Sequence, residues 1–118
     1  MVGNPIQDKA YTISRQTISL YRKLSQENRD FDLCKQLLKS AANVGVYVAQ
    51  AECAPSRENY TERMTMAINA ASETKFLLRL LSDAKIILSA STDLLISYCS
   101  DLEEKITKDL AKDIAKSK

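Results

Sequence analysis

Arg15, Arg22 and Arg29 stand seven residues apart, with Asp8 one step upstream and Lys9 and Lys23 beside them. Seven residues are almost two turns of an α-helix. On a helix the three guanidinium groups therefore share one face and drift by only ~20° per step. Such a row of cations has two readings. It is a solvated face of a bundle helix, or it is a surface for a repeating anion such as a phosphate backbone. Residues 1–29 hold Lys9, Arg15, Arg22, Lys23 and Arg29 against Asp8 and Glu27, whereas the rest of the chain is close to neutral and the whole chain carries +2.

Other chemistry is narrowed by one absence. The chain has no histidine. Di-iron sites built from Glu-x-x-His pairs, Ser-His-Asp and Cys-His nucleophile systems, and helical ribonucleases that use Arg and His together all need that imidazole. With two glycines the chain also has no Gly-rich phosphate loop. Glu52, Glu58, Glu62 and Glu73 could be drawn as a carboxylate cluster, but without nitrogen or sulfur ligands their plainer reading is a solvated helix face with Glu73 buried or at an interface. No catalytic, cofactor or metal residue is assigned, and no activity as an enzyme is expected. Tyr11, Tyr21, Tyr47, Tyr60 and Tyr98 could stack on bases, although their helical spacing favours the core edge or a subunit seam.

Cys34, Cys53 and Cys99 have no CxxC spacing. Cys34 and Cys53 fall on one predicted helix, about 28 Å apart at 1.5 Å per residue, too far to bridge. An odd, scattered set of this kind reads as reduced, buried thiols in a cytoplasmic protein. No signal peptide is visible, and the longest mostly apolar run, 41–51, is far short of the ~20 residues of a membrane span.

The elements that must position these residues are helical. The chain of 118 residues suits one domain, 1–118, and has only two Gly and two Pro to interrupt it. Helix 1 is predicted from Asn4 as N-cap and Pro5 at the first turn to about 26–29, with the seam Ile6, Ala10, Ile13, Thr17, Leu20, Leu24. Helix 2 starts near Asp30 or Asp32. It carries two apolar seams, Leu37-Ala41-Val44-Val48-Ala51 and Cys34-Leu38-Ala42-Gly45-Ala49, so it is expected to be buried on both. Helix 3 opens at Pro55-Ser56 and runs through Tyr60, Met64, Ala67, Ala71, Thr74, Leu78 and Leu81, with a second apolar face of Met66, Ala70, Leu77 and Leu80. Ile86, Ile87 and Leu88 are expected to fold back as a plug. Helix 4 starts near 89–92, runs through Leu95, Cys99, Leu102 and Ile106, and frays from about Asp109 or 110. Four helices with short links predict an all-α, antiparallel up-down-up-down four-helix bundle.

The middle of the chain carries a resemblance. Gln36-Leu37-Leu38-Lys39-Ser40, Val44-Gly45, Ser56-x-x-x-Tyr60, Ala67-Ile68-x-Ala70-Ala71-x-Glu73-Thr74 and Leu77-Leu78-x-Leu80-Leu81 resemble the bacterial four-helix-bundle family named for proteins encoded in intervening sequences of 23S ribosomal RNA genes. The likeness covers about 8–110 in outline. It departs at Tyr47 and Gln50, where the family has Asn and Glu, and matches at Glu73. The resemblance implies a homopentamer. It also implies a relationship to accessory proteins of reverse transcriptase in diversity-generating retroelements, which use a basic outer surface. The expectation is a non-enzymatic, homo-oligomeric binding or scaffold protein acting on RNA or a ribonucleoprotein through Lys9, Arg15, Arg22, Lys23 and Arg29. The alternative is a protein–protein interaction module that binds no nucleic acid.

Overall fold

A computed structural model describes residues 4–27 and 31–117, with side chains at 4–27 and 32–112. Four helices follow one another: α1 (Pro5–Gln26), α2 (Phe31–Glu52), α3 (Arg57–Asp83) and α4 (Ser89–Ser117). Their ends follow local chemistry. The Asn4 side chain accepts from the amides of Ile6 and Gln7, and Pro5, which has no amide to satisfy, opens the first turn. Ser56 caps α3 through the Asn59 amide at 3.1 Å. Pro55 disfavours helical geometry at Ala54, and this breaks the small-residue run between α2 and α3. α4 continues through Asp109 to Ser117.

The α3–α4 turn closes differently. Lys85 takes φ 62°, the left-handed position that usually falls to glycine, and the Ile86 amide reaches back to the Leu81 carbonyl at 2.9 Å. The expected plug is only partly formed. Ile87 is buried and Ile86 half-buried, but Leu88 is 73 % exposed. Three consecutive residues cannot all face one core once the turn reverses the chain.

Long-range bonds fix the antiparallel order. Asn4–Glu52 and Ser14–Ala41 tie α1 to α2, Ser40–Thr74 ties α2 to α3, and Ser72–Glu103, Ser82–Ser89 and Tyr60–Asp109 tie α3 to α4. Each helix packs on its two neighbours, and α4 closes the bundle against α1. The predicted α1 seam is the buried one, with Ala10, Ile13, Thr17 and Leu24 inside. The core has two parts. One is rich in small residues around Ala41, Val44, Ala67, Ala71 and Cys99, and the other is leucine-rich around Leu37, Leu77, Leu78, Leu81 and Leu95. Between them Ser40 and Thr74 are buried and bonded to each other at 3.0 Å, while Thr17 and Thr74 also donate to the carbonyls of Ile13 and Ala70. Each buried hydroxyl of this belt is satisfied, so it costs the core little.

The second apolar faces differ from the expectation. Leu37, Ala41, Val44, Val48 and Ala51 of α2 are buried, but Ala42 and Ala49 are exposed and Gly45 is half-covered. On α3, Ala70 and Leu77 are buried while Leu80 is 42 % exposed. A helix at the corner of a four-helix bundle meets two neighbours through one stripe of about 100° or slightly more, so residues beyond that stripe face outward. Glu73 is also exposed, because it lies one step outside the α3 seam. Of the cysteines, Cys34 and Cys99 are buried and Cys53 is exposed, all three free.

Candidate nucleic-acid interface

The α1 face that points away from the core repeats at four and three residues: Tyr11, Arg15, Ile18, Arg22. All four are exposed. α2 repeats the pattern beside it with Lys35, Lys39, Ala42, Val46 and Ala49, also all exposed. The two helices are locked in register at their centres, where the Ser14 hydroxyl donates to the Ala41 carbonyl at 2.8 Å. Gly45 leaves room for this hydroxyl, since a Cβ there would sit 2.9 Å from Ser14 Oγ. The Ser14–Ala41 bond holds the two rows side by side.

The charge on this pair of helices has one sign. No Asp or Glu occurs from Lys9 to Gln26 or from Leu33 to Gln50. Arg15, Arg22, Lys23 and Lys39 are exposed, and none of them forms an ion pair among the described residues. Lys9 is used differently. Its ammonium is 3.3 Å from Asp101 and 4.6 Å from the centre of the Tyr98 ring, so it ties α1 to α4 and is not part of the open row. Arg29 lies outside the described residues. Lys39 is the cation that sequence reasoning missed. Its signal was its four-residue spacing from Lys35 on the outward side of α2, which becomes informative only when α1 is placed next to it.

The seams of α4 are neutralised. Lys75 reaches Glu103 at 2.8 Å, Lys105 reaches Asp101 at 3.3 Å, and Lys108 reaches Glu104 at 2.9 Å. Hydrogen bonds from Lys105 and then Lys9 hold the Asp101 carboxyl below its ordinary range, and the bond to Glu104 holds Lys108 above its own. Asp109 accepts from the Tyr60 hydroxyl at 2.6 Å. Burial first, then that bond and the neighbouring carboxylates, push the Tyr60 phenol well above its ordinary value. Burial also raises Cys99 to about 12, the mark of an inert core thiol. Tyr21, Tyr47, Tyr60 and Tyr98 lie at the core edge, while Tyr11 is 69 % exposed.

Among the described residues no three His, Cys, Asp or Glu side chains converge on a point that could hold a metal ion, and no helix is long and apolar enough to cross a membrane. Fold and surface together define an antiparallel four-helix bundle that exposes Arg15, Arg22, Lys23 and Lys39 on its α1–α2 face. The chain belongs to the 23S rRNA-intervening sequence protein family, whose profile matches residues 4–108. Its fold is similar to that of a crystal structure from Bacteroides thetaiotaomicron, described as a protein with unknown function from the S23 ribosomal protein family. That similarity has a TM-score of 0.84 and 24 % identity, over 87 % of this chain and 95 % of that one. No curated protein matches the chain.

Proposed function

We propose that this protein is a non-enzymatic, cytoplasmic, homo-oligomeric accessory that binds RNA through the α1–α2 face. The observation that carries this reading is the run of same-sign charge. Lys9 to Gln26 and Leu33 to Gln50 hold six basic side chains, Lys9, Arg15, Arg22, Lys23, Lys35 and Lys39, and no acidic one. Surface cations such as Arg15, Arg22, Lys23 and Lys39, which pair with no carboxylate among the described residues, cost a fold little, but they attract a polyanion strongly because each phosphate contact releases a condensed counterion. Family membership supports the ribosomal-RNA context. Arg15, Arg22 and Lys23 carry the contact, and Lys9 supports the face from the α1–α4 seam.

Assembly is the second half of the proposal, with a homopentamer as the expected state. Phe76, at 65 % exposure, and Leu80 stand one turn apart on the outside of α3, a patch suited to burial between copies. Light scattering coupled to gel filtration should give a mass near five times 13.2 kDa, and a monomer at micromolar concentration would overturn the assembly. Filter binding of RNA over a salt series tests the other half. Affinity should fall steeply with salt and be lost in Arg22→Glu/Lys23→Glu with helicity and mass unchanged. The same exposed apolar residues favour the rival reading, a protein–protein module. That reading prevails if the wild type retains no RNA at low salt, or if the double variant retains as much as the wild type.

A further inference from the structure

The α1–α2 face is not uniformly charged. At one end lies a trough of about 460 Å³ whose walls are almost wholly apolar, formed by Tyr11 on α1 and Ala42, Gly45, Val46 and Ala49 on α2. We infer that this trough receives an unstacked base, so that the RNA recognised by this face is single-stranded. The inference deepens the RNA reading above and rests on it.

The placement of cations and trough carries the argument. Ser14 and Ala41 mark one level through their hydrogen bond. At 1.5 Å per residue, Tyr11 and Val46 lie about 5–8 Å to one side of that level, and Arg15, Lys39 and Arg22 lie about 2–12 Å to the other. An aromatic ring and a cation row therefore follow one another along a single line, the arrangement that takes a base on a π-face and its flanking phosphates on ammonium and guanidinium groups. Asp8, the one acidic side chain on the trough, stands on the side of Tyr11 away from Arg15. It repels a backbone there, so a bound strand leaves toward Arg22. Duplex RNA cannot use such a trough, because its bases are stacked and paired and its accessible groove offers mainly hydroxyls and phosphates. Tyr11 is mostly solvent-exposed and satisfies no core position, so nothing in the fold of one chain requires an aromatic ring there.

The test compares a 12-nucleotide oligoadenylate with an RNA duplex of equal length at one salt concentration. The wild type should bind the single strand about tenfold or more tightly than the duplex. Tyr11→Ala should weaken single-strand binding about tenfold and leave duplex binding unchanged, while Tyr11→Phe keeps the ring and the affinity. Circular dichroism checks that each variant is folded. Equal weakening of both forms, or no change in either, overturns the trough while leaving the cationic face standing. A change in oligomeric mass on Tyr11→Ala assigns the trough to a subunit seam and overturns it too. If the wild type binds neither RNA at low salt, the RNA reading itself has failed.

Discussion

The α1–α2 face and the seams of α4 use the same residue types to opposite ends. Lys9, Lys75, Lys105 and Lys108 each sit within 3.3 Å of a carboxylate. Arg15, Arg22, Lys23 and Lys39 lie on helices from which acid is absent over the same stretch. The first group is made of short-range pairs, two joining α4 to α1 and α3 and two within α4, that leave little field outside. The second group leaves its field in solvent, where it acts over about a Debye length, ~10 Å at 0.1 M salt. Composition alone hides this difference, because a chain with 17 basic and 15 acidic residues can be locally neutral everywhere or strongly cationic on one side.

The largest effect should come from reversing the open face. Arg22→Glu, Lys23→Glu and Lys39→Glu together should reduce RNA affinity at low salt by a hundredfold or more. Lys108→Glu with Lys112→Glu, on exposed α4 positions, should change it by no more than about twofold. Equal losses in the two variants, measured by fluorescence anisotropy with one RNA, would erase the distinction between the faces.

The close approach that brings the two cation rows together can be tested by its energetics. Gly45→Ala gains helix propensity but places a methyl against Ser14 Oγ, which must then give up its bond to Ala41. In a Ser14→Ala background the obstacle is gone. Gly45→Ala should therefore be more stabilising there than in the wild type by about 1 kcal/mol, read from a denaturation double-mutant cycle. Additivity would mean that Ser14 does not set the α1–α2 distance.

Alkaline pH should act on the neutralised side and the core. The pKa of Cys99 is raised from 9.0 to about 12 in the folded state, and that of Tyr60 is raised as well. A raised folded pKa gives stability that is fully present below the unfolded value and lost as pH climbs through the folded one. The melting temperature should therefore decline from about pH 9 upward toward 12. Cys99→Ala should flatten the early part of that decline, and Tyr60→Phe the part above pH 10. A decline identical in both variants would assign it to other groups.

The smallest effect expected is at the α3–α4 turn, remote from the RNA face. Lys85 holds a left-handed φ of 62° with a side chain attached. Lys85→Gly should stabilise the fold by about 0.5–1 kcal/mol, with RNA binding unchanged. A loss of RNA affinity on this substitution would extend the cationic face to that turn.

Much of the fold was legible before any coordinates. Asn4-Pro5 and Pro55-Ser56 mark helix starts by chemistry confined to a few residues, and the seams of α1 and α3 follow from spacing alone. The misreadings have one physical origin. The small residues at 42, 45 and 49 and the apolar Leu80 and Leu88 indicate what a position can tolerate, but burial depends on where the neighbouring helix runs. The candidate site divides the same way. Arg15 and Arg22 stand out because both lie on one helix with a heptad period, whereas Lys39 and the trough wall come from a second helix whose register no local pattern encodes.

The sequence by itself determined that the chain is four helices with defined ends, that histidine-dependent chemistry is closed to it, and that the first helix carries a cation row. These are properties of residue type and local spacing. Tertiary structure alone decided that Lys9 is held by Asp101 and Tyr98 while Lys39 joins the open face. It also decided that Ala42 and Ala49 of the second apolar stripe of α2 face outward beside Tyr11, while Cys34 at its start is buried. Both outcomes depend on antiparallel packing set at a distance, through contacts such as Ser14 with Ala41, between residues 27 positions apart in the chain.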